Sequence, residues 1–153
     1  MKVNKQKKSN KISGGHALVS LLTEGATPLH KVTILPRGHA LGFTSMVPEK
    51  DELSQSKRQI LAAIDVAMGG RVAEEMLLGM SDYTTGWSSD LQAATRYAYA
   101  LVRQVGMKED VALISADKSV TSEDYNFLVD QEVQKTLKVN DKLSTSKVIG
   151  IFE

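Results

Sequence analysis

Histidine and carboxylate are the only side chains here able to grip a metal ion strongly, because the 153 residues include no cysteine. The same absence removes a disulfide framework, an iron–sulfur cluster and a thiol nucleophile. Three histidines remain, His16, His30 and His39, so any metal site must lean on acids. His16 opens the helical run Gly15-His16-Ala17-Leu18-Val19, where a lone imidazole reads either as a partly buried, hydrogen-bonded residue or as a ligand. Asp90 falls in the first turn of a helix expected from Ser88 or Ser89, where its charge favours the helix N-terminus by about 0.3–1 kcal/mol. Glu74 and Glu75 read most simply as a solvated face. No G-x-x-x-x-G-K-[ST] loop occurs, which excludes ATP binding by that route. A serine-nucleophile elbow is also absent, since Gly86-Trp87-Ser88 lacks the second glycine of G-x-S-x-G.

The elements that must position these residues follow from spacing. Ala17, Leu18, Leu21 and Leu22 recur at helical intervals until Gly25 and Pro28 close the segment. Lys31 to Leu35 and Leu41 to Val47 are β-prone runs split by Pro36-Arg37-Gly38, which predicts a sheet of two or three strands. After Ser54, the residues Ile60, Leu61, Ile64, Ala67 and Met68 share one helical face that Gly69-Gly70 is expected to break or bend. A second helix is then expected from Arg71 to Leu78, ending at Gly79. A further stripe of Leu91, Ala94, Ala98, Leu101, Val102 and Val105 ends at Gly106. A last helix is predicted from Ser122 to about Val139. The reading is mainly α with a small β-sheet near the N-terminus.

Charge is uneven. Lys2, Lys5, Lys7, Lys8 and Lys11 crowd the first eleven residues, and this run reads as a frayed, solvated terminus. With 19 basic and 18 acidic residues the whole chain carries only +1, so nothing in its overall charge draws it to nucleic acid. No stretch of ~18 consecutive apolar residues is present, so no membrane span is expected in this chain.

Several ordered motifs resemble a known family. Leu22-Thr23-Glu24-Gly25-Ala26-Thr27-Pro28-Leu29-His30-Lys31-Val32-Thr33-Ile34-Leu35-Pro36-Arg37-Gly38, then Ala40-Leu41-Gly42, Met68-Gly69-Gly70-Arg71-Val72-Ala73-Glu74-Glu75, and Thr84-Thr85-Gly86 through Ser89-Asp90 are similar to the peptidase domain of FtsH-type AAA proteases. They look most like the mitochondrial i-AAA branch. The resemblance implies an FtsH-type metallopeptidase domain, truncated, spanning residues 15–137 between a divergent lysine-rich leader at 1–14 and a divergent tail at 138–153. It also implies an ATP-dependent zinc metalloendopeptidase of membrane-protein quality control that works as a homo- or hetero-hexamer on protein substrates at the mitochondrial inner membrane. ATP would enter only through a module missing from this chain.

In that family a helix carries H-E-x-G-H: two histidines four residues apart bind Zn²⁺, and the glutamate activates the bound water. A later aspartate completes the ligands. Mapped here, the second histidine is His16 and the aspartate is Asp90, with Glu75 a rival for the third ligand. The first histidine falls on Ile12 and the glutamate on Ser13. Isoleucine has no lone pair for a metal, and serine is no base at neutral pH, so zinc binding is expected to be weak or absent and the chain catalytically deficient. The resemblance leaves His30 and His39 as poor substitutes. The alternative function is a non-catalytic pseudopeptidase module that assembles with intact subunits, using the helix with Leu91, Leu101 and Val105 and the helix near Asp65 for ring contacts. Trp87, where the family has a small residue, is expected to fill the groove, shift Asp90 or lie on the surface. The abrupt onset of agreement at Gly15 suggests a partial or alternatively spliced form, or a gene model missing coding sequence. Beyond Leu137 the tail offers only Val148, Ile149, Ile151 and Phe152, so the last fifteen residues are expected to be mobile.

Overall fold

A computed structural model describes residues 2–33, 43–46, 54–79, 85–106, 115 and 118–151. Four helices and one hairpin-like sheet make up most of it: α1 (Lys2–Leu22), β1 (Leu29–Thr33), β2 (Phe43–Met46), α2 (Lys57–Leu78), α3 (Ser88–Tyr99) and α4 (Glu123–Ile149). Short 3₁₀ turns at Thr85–Trp87 and Lys118–Val120 lead into α3 and α4, and α3 runs on into a π-helical turn at Ala100–Gln104. The two strands pair antiparallel, Thr33 opposite Phe43 and Leu29 opposite Met46, with an irregularity at His30. None of the described helices is long and apolar enough to cross a membrane.

Helix α2 is the hub. Its N-terminus is held by a reciprocal capping box in which Ser56 Oγ accepts from the Gln59 amide and Gln59 Oε1 accepts from the Ser56 amide. One side of α2, Ile64 and Met68, packs with Ala94, Ala98 and Val102 of α3 and its extension and with Val129 and Val133 of α4. Another side, Val66 and Val72, meets Val19 of α1 and Val148 of α4. Burying each of the valine, isoleucine and methionine side chains among these contributes about 1.5–3 kcal/mol before the entropy of ordering is set against it.

The expected break at Gly69-Gly70 does not occur; α2 is continuous through both. The glycines serve an approach, not a bend. A Cβ on Gly15 would collide with the Gly69 carbonyl oxygen and sit 2.6 Å from Ala73 Cβ, and one on Gly69 would sit 2.8 Å from the Gly15 oxygen. Backbone therefore lies directly on backbone where α1 crosses α2.

Both ends of the chain are more ordered than composition predicts. The lysine-rich run is helical from Lys2, continuous with the segment that carries His16, and not frayed. Helix α4 continues to Ile149, past the predicted end near Val139. Thr136, Asn140, Ser144 and Val148, one turn apart, are all buried. Ser144 Oγ donates to the Asp65 carbonyl oxygen at 2.9 Å, and Lys147 Nζ donates to Asp65 Oδ2 at 2.7 Å and Thr23 Oγ1 at 2.9 Å. Arg71 of α2 holds Asp141 of α4 through Nη2 at 2.6 Å and Nε at 3.0 Å. The tail is thus fastened by polar bonds where large apolar side chains are lacking.

Candidate functional site

His16 sits in the last third of α1, and Gly70 of α2 forms the floor beneath its ring. A Cβ at Gly70 would lie 2.6 Å from His16 Nε2 and 2.9 Å from Ile12 Cγ2, so any larger residue would displace both side chains. One turn N-terminal to Gly70, the Val66 carbonyl oxygen accepts from His16 Nδ1 at 2.7 Å. That bond fixes the ring's orientation and leaves Nε2 pointing to α3, where Asp90 Oδ2 lies 3.1 Å away. The two residues are 74 positions apart in sequence and are brought together by α2, which packs against both of their helices.

The electrostatics follow from what surrounds the ring. Burial opposes a charged imidazole, but the hydrogen bond and charge of Asp90, helped by the Val66 carbonyl, outweigh it and raise the His16 pKa above its ordinary 6.5. Both ring nitrogens face acceptors, so the pair favours a cation between Nε2 and Oδ2. A proton satisfies that demand. So would a metal ion: the 3.1 Å separation is close to the ~3.3 Å edge of a tetrahedron built on zinc–ligand bonds of about 2.0–2.2 Å.

A catalytic zinc needs a third protein ligand, and among the described residues none is supplied. Ile12 lies one turn before His16 on the same face of α1, with only carbon to offer. Ser13 is buried, and its carbonyl oxygen accepts from Thr44 Oγ1 of β2 at 3.0 Å. Among the described residues no group of three or more His, Cys, Asp or Glu side chains converges. His30 is exposed on β1, and His39 lies outside the described residues. Glu75 is paired with Arg71, whose Nη1 donates to its Oε2 at 2.6 Å. The donor set therefore does not fit a catalytic zinc centre.

Several expectations need correction. Glu74 is not on a solvated face: it is 0% exposed, inside the α2 packing. Leu101 and Asp65 are likewise buried, so neither is available for contacts between subunits. Ser88 and Ser89 do not cap α3 from outside but are its first residues; Trp87 occupies the cap position and makes no side-chain capping hydrogen bond to the helix. Trp87 is half-buried there, neither a free surface aromatic nor an obstacle to the Asp90–His16 contact. Sequence reasoning also missed Val66, Gly15 and Gly70 as parts of the site. The signal available was the glycine pair inside a strongly periodic helix, which marks close approach as readily as a bend.

With this geometry in hand, comparison with known proteins is specific. Residues 3–148 match the profile described as Peptidase family M41, a longer span than the residues 15–137 that the resemblance implies. The chain is 50% identical over 124 residues to the ATP-dependent zinc metalloprotease FTSH 11, chloroplastic/mitochondrial, of Arabidopsis thaliana, covering 81% of this chain and 15% of that protein. It is 56% identical over 99 residues to the ATP-dependent zinc metalloprotease YME1 homolog of Caenorhabditis elegans, covering 65% of this chain and 14% of that protein. It is 44% identical over 130 residues to the mitochondrial inner membrane i-AAA protease supercomplex subunit YME1 of Saccharomyces cerevisiae, covering 84% and 17% respectively. The chain thus spans about a sixth of the length of these relatives.

Proposed function

The chain belongs to peptidase family M41, and from that premise we propose that it is the peptidase-domain portion of an ATP-dependent zinc metalloendopeptidase in a form that does not cleave peptides itself. The observation that carries this reading is the substitution pattern on one turn of α1: His16 and Asp90 keep ligand spacing, while Ile12 and Ser13 stand where a ligand and a base are needed. On this reading His16 and Asp90 are residual zinc ligands. A zinc ion, where bound in the family, supplies an activated water; this chain lacks the carboxylate to take its proton. Removing a general base alone typically costs 10²–10⁴ in rate.

A second reading, favoured by the intact scaffold, is a pseudopeptidase that assembles with catalytically complete subunits, as one partner in a homo- or hetero-hexamer. The glycine crossing of α1 and α2 and the His16–Asp90 tie keep the shape of the site without its chemistry. The printed name of the yeast relative, a mitochondrial inner membrane i-AAA protease supercomplex subunit, supports the mitochondrial inner membrane as the setting of such an assembly.

Metal analysis and proteolysis test both readings. The purified chain, dialysed against micromolar zinc, is expected to retain well under one equivalent and to leave casein undegraded. Ile12→His with Ser13→Glu is expected to bring zinc to one equivalent. Stoichiometric zinc in the unmodified chain sinks the first reading. Failure to co-purify with any intact family subunit sinks the second.

A further inference from the structure

Charge on α4 is sorted between its two sides. The acids beyond its first turn are engaged within the fold: Tyr99 Oη donates to Asp130 Oδ1 at 2.7 Å, Arg71 holds Asp141, and the buried Glu132 pairs with Lys135 Nζ at 3.3 Å. Three lysines face the other way. Lys135, Lys138 and Lys142 are all exposed, and neither Lys138 nor Lys142 has an acid partner among the described residues. From their spacing the three fall within about 60° of one another, a basic strip along the helix. Leu128, Val139 and Leu143, 49%, 50% and 47% exposed, form a second strip of similar width directly beside it. Gln131 and Gln134 join the lysines and Val139 around a shallow depression. No exposed position from 125 to 149 carries a negative charge, and Asp124 lies about 16 Å along the axis from Lys135.

A face of one sign calls for an occupant of the other. Lys138 and Lys142, one turn apart, repel each other in the free helix, and carboxylates laid along them relieve that repulsion. A second copy of α4 fails this requirement, because a two-fold axis near the strip brings lysine against lysine. Nucleic acid fits poorly, since no arginine and no aromatic ring stands between 128 and 149 to read or stack a base. A bilayer surface suits an apolar strip with lysines along both borders, whereas here they run along one border only. A helix that is apolar on one side and acidic beside it matches both strips at once. We propose that this face docks an acidic amphipathic helix of another protein, about four turns long, its apolar side on Leu128, Val139 and Leu143 and its carboxylates along Lys138 and Lys142. Docking here does not depend on whether the peptidase site is active. One helix on two strips falls below the standard interface size, so the dissociation constant is expected on the order of tens of micromolar at low salt.

The probe is a fluorescein-labelled amphipathic peptide with leucine at the a and d positions of a heptad and glutamate at e and g, and its counterpart carries lysine at e and g. Fluorescence anisotropy with the 153-residue chain is expected to show the glutamate peptide binding at tens of micromolar and the lysine peptide at least about tenfold more weakly. Lys138→Glu with Lys142→Glu is expected to exchange the two preferences, because like charges replace opposite ones at both positions. Both side chains are exposed, so far-UV circular dichroism of that variant should match the parent. Leu143→Gln is expected to weaken the parent's glutamate complex several-fold without altering which peptide is preferred. Equal binding of the two peptides overturns the proposal, as does a preference that survives the double reversal or no glutamate-peptide binding at several hundred micromolar. Binding of phosphatidylserine vesicles or of a single-stranded oligonucleotide in place of the glutamate peptide overturns it as well.

Discussion

Replacing Asp90 by asparagine measures how much the tie between α1 and α3 contributes and how that contribution depends on proton concentration. With the His16 ring charged, Nδ1 donates to Val66 and Nε2 donates to the Asp90 carboxylate. The side chains are 16% and 27% exposed, so solvent screening does not reduce the pair to a surface contact. A charge-assisted bond of this kind contributes about 1.5–3 kcal/mol, against about 0.5–1.5 for the neutral bond that asparagine can make. The net cost of Asp90→Asn is then about 1–2 kcal/mol while the ring is charged, a fall of about 2–8 °C in melting temperature for a chain of this size. Because the folded His16 pKa is raised above 6.5, its contribution is fully present below pH 6.5 and is lost as pH rises through the folded value. Above that value the neutral ring keeps its proton on Nδ1 and turns a lone pair toward the carboxylate. An asparagine amide can donate to that lone pair, so the gap between variant and parent closes or reverses. Urea unfolding followed by far-UV circular dichroism, at pH 6 and pH 9 in chelator-treated buffer, reads both limits. A difference equal at the two pH values, or larger at pH 9, refutes the reasoning.

The helix crossing offers a paired control. Gly15→Ala, whose new methyl meets the Gly69 oxygen and Ala73, is expected to lose about 3 kcal/mol or more in the same urea assay, whereas Gly14→Ala, with nothing within 4 Å, is expected to gain about 0.5–1 kcal/mol. Lys147→Met strands the buried Asp65 carboxylate and is expected to cost about 3–5 kcal/mol at pH 7. Burial, only partly offset by Lys147, already raises the Asp65 pKa, so stability held by that group is lost as pH rises through its folded value; the variant should therefore recover toward pH 4, as thermal melts at the two pH values would reveal. Hydrogen exchange should show protected amides from 136 to 148; exchange at unfolded rates there would contradict the docking of the α4 C-terminal half.

Legibility from sequence tracked the size and polarity of the buried side chains. The α2 and α3 stripes were readable because Ile64, Met68, Leu101 and Val102 are large, apolar and periodic, and Asp90 was placed correctly in the first turn of its helix. The second half of α4 was not, because Thr136, Asn140 and Ser144 are small and polar and pack by hydrogen bonding to their own or a neighbouring helix. The first half of α1 has almost no apolar period to detect, and helical continuity with the His16 segment decides it. Glu74 misled for the opposite reason: a carboxylate is assumed to be wet, and this one is enclosed by the packing of α2. The meeting of His16 with Asp90 was inferred from family likeness, since no local pattern encodes a contact across 74 positions.

The bare seam between Gly15 and Gly69 has an evolutionary corollary. Spacing fixed by main chain pressed on main chain owes nothing to a bound ion, so the alignment of the neighbouring imidazole and carboxylate survives whatever happens at positions 12 and 13. Drift at either glycine does not spare it, because the first added methyl pries the helices apart.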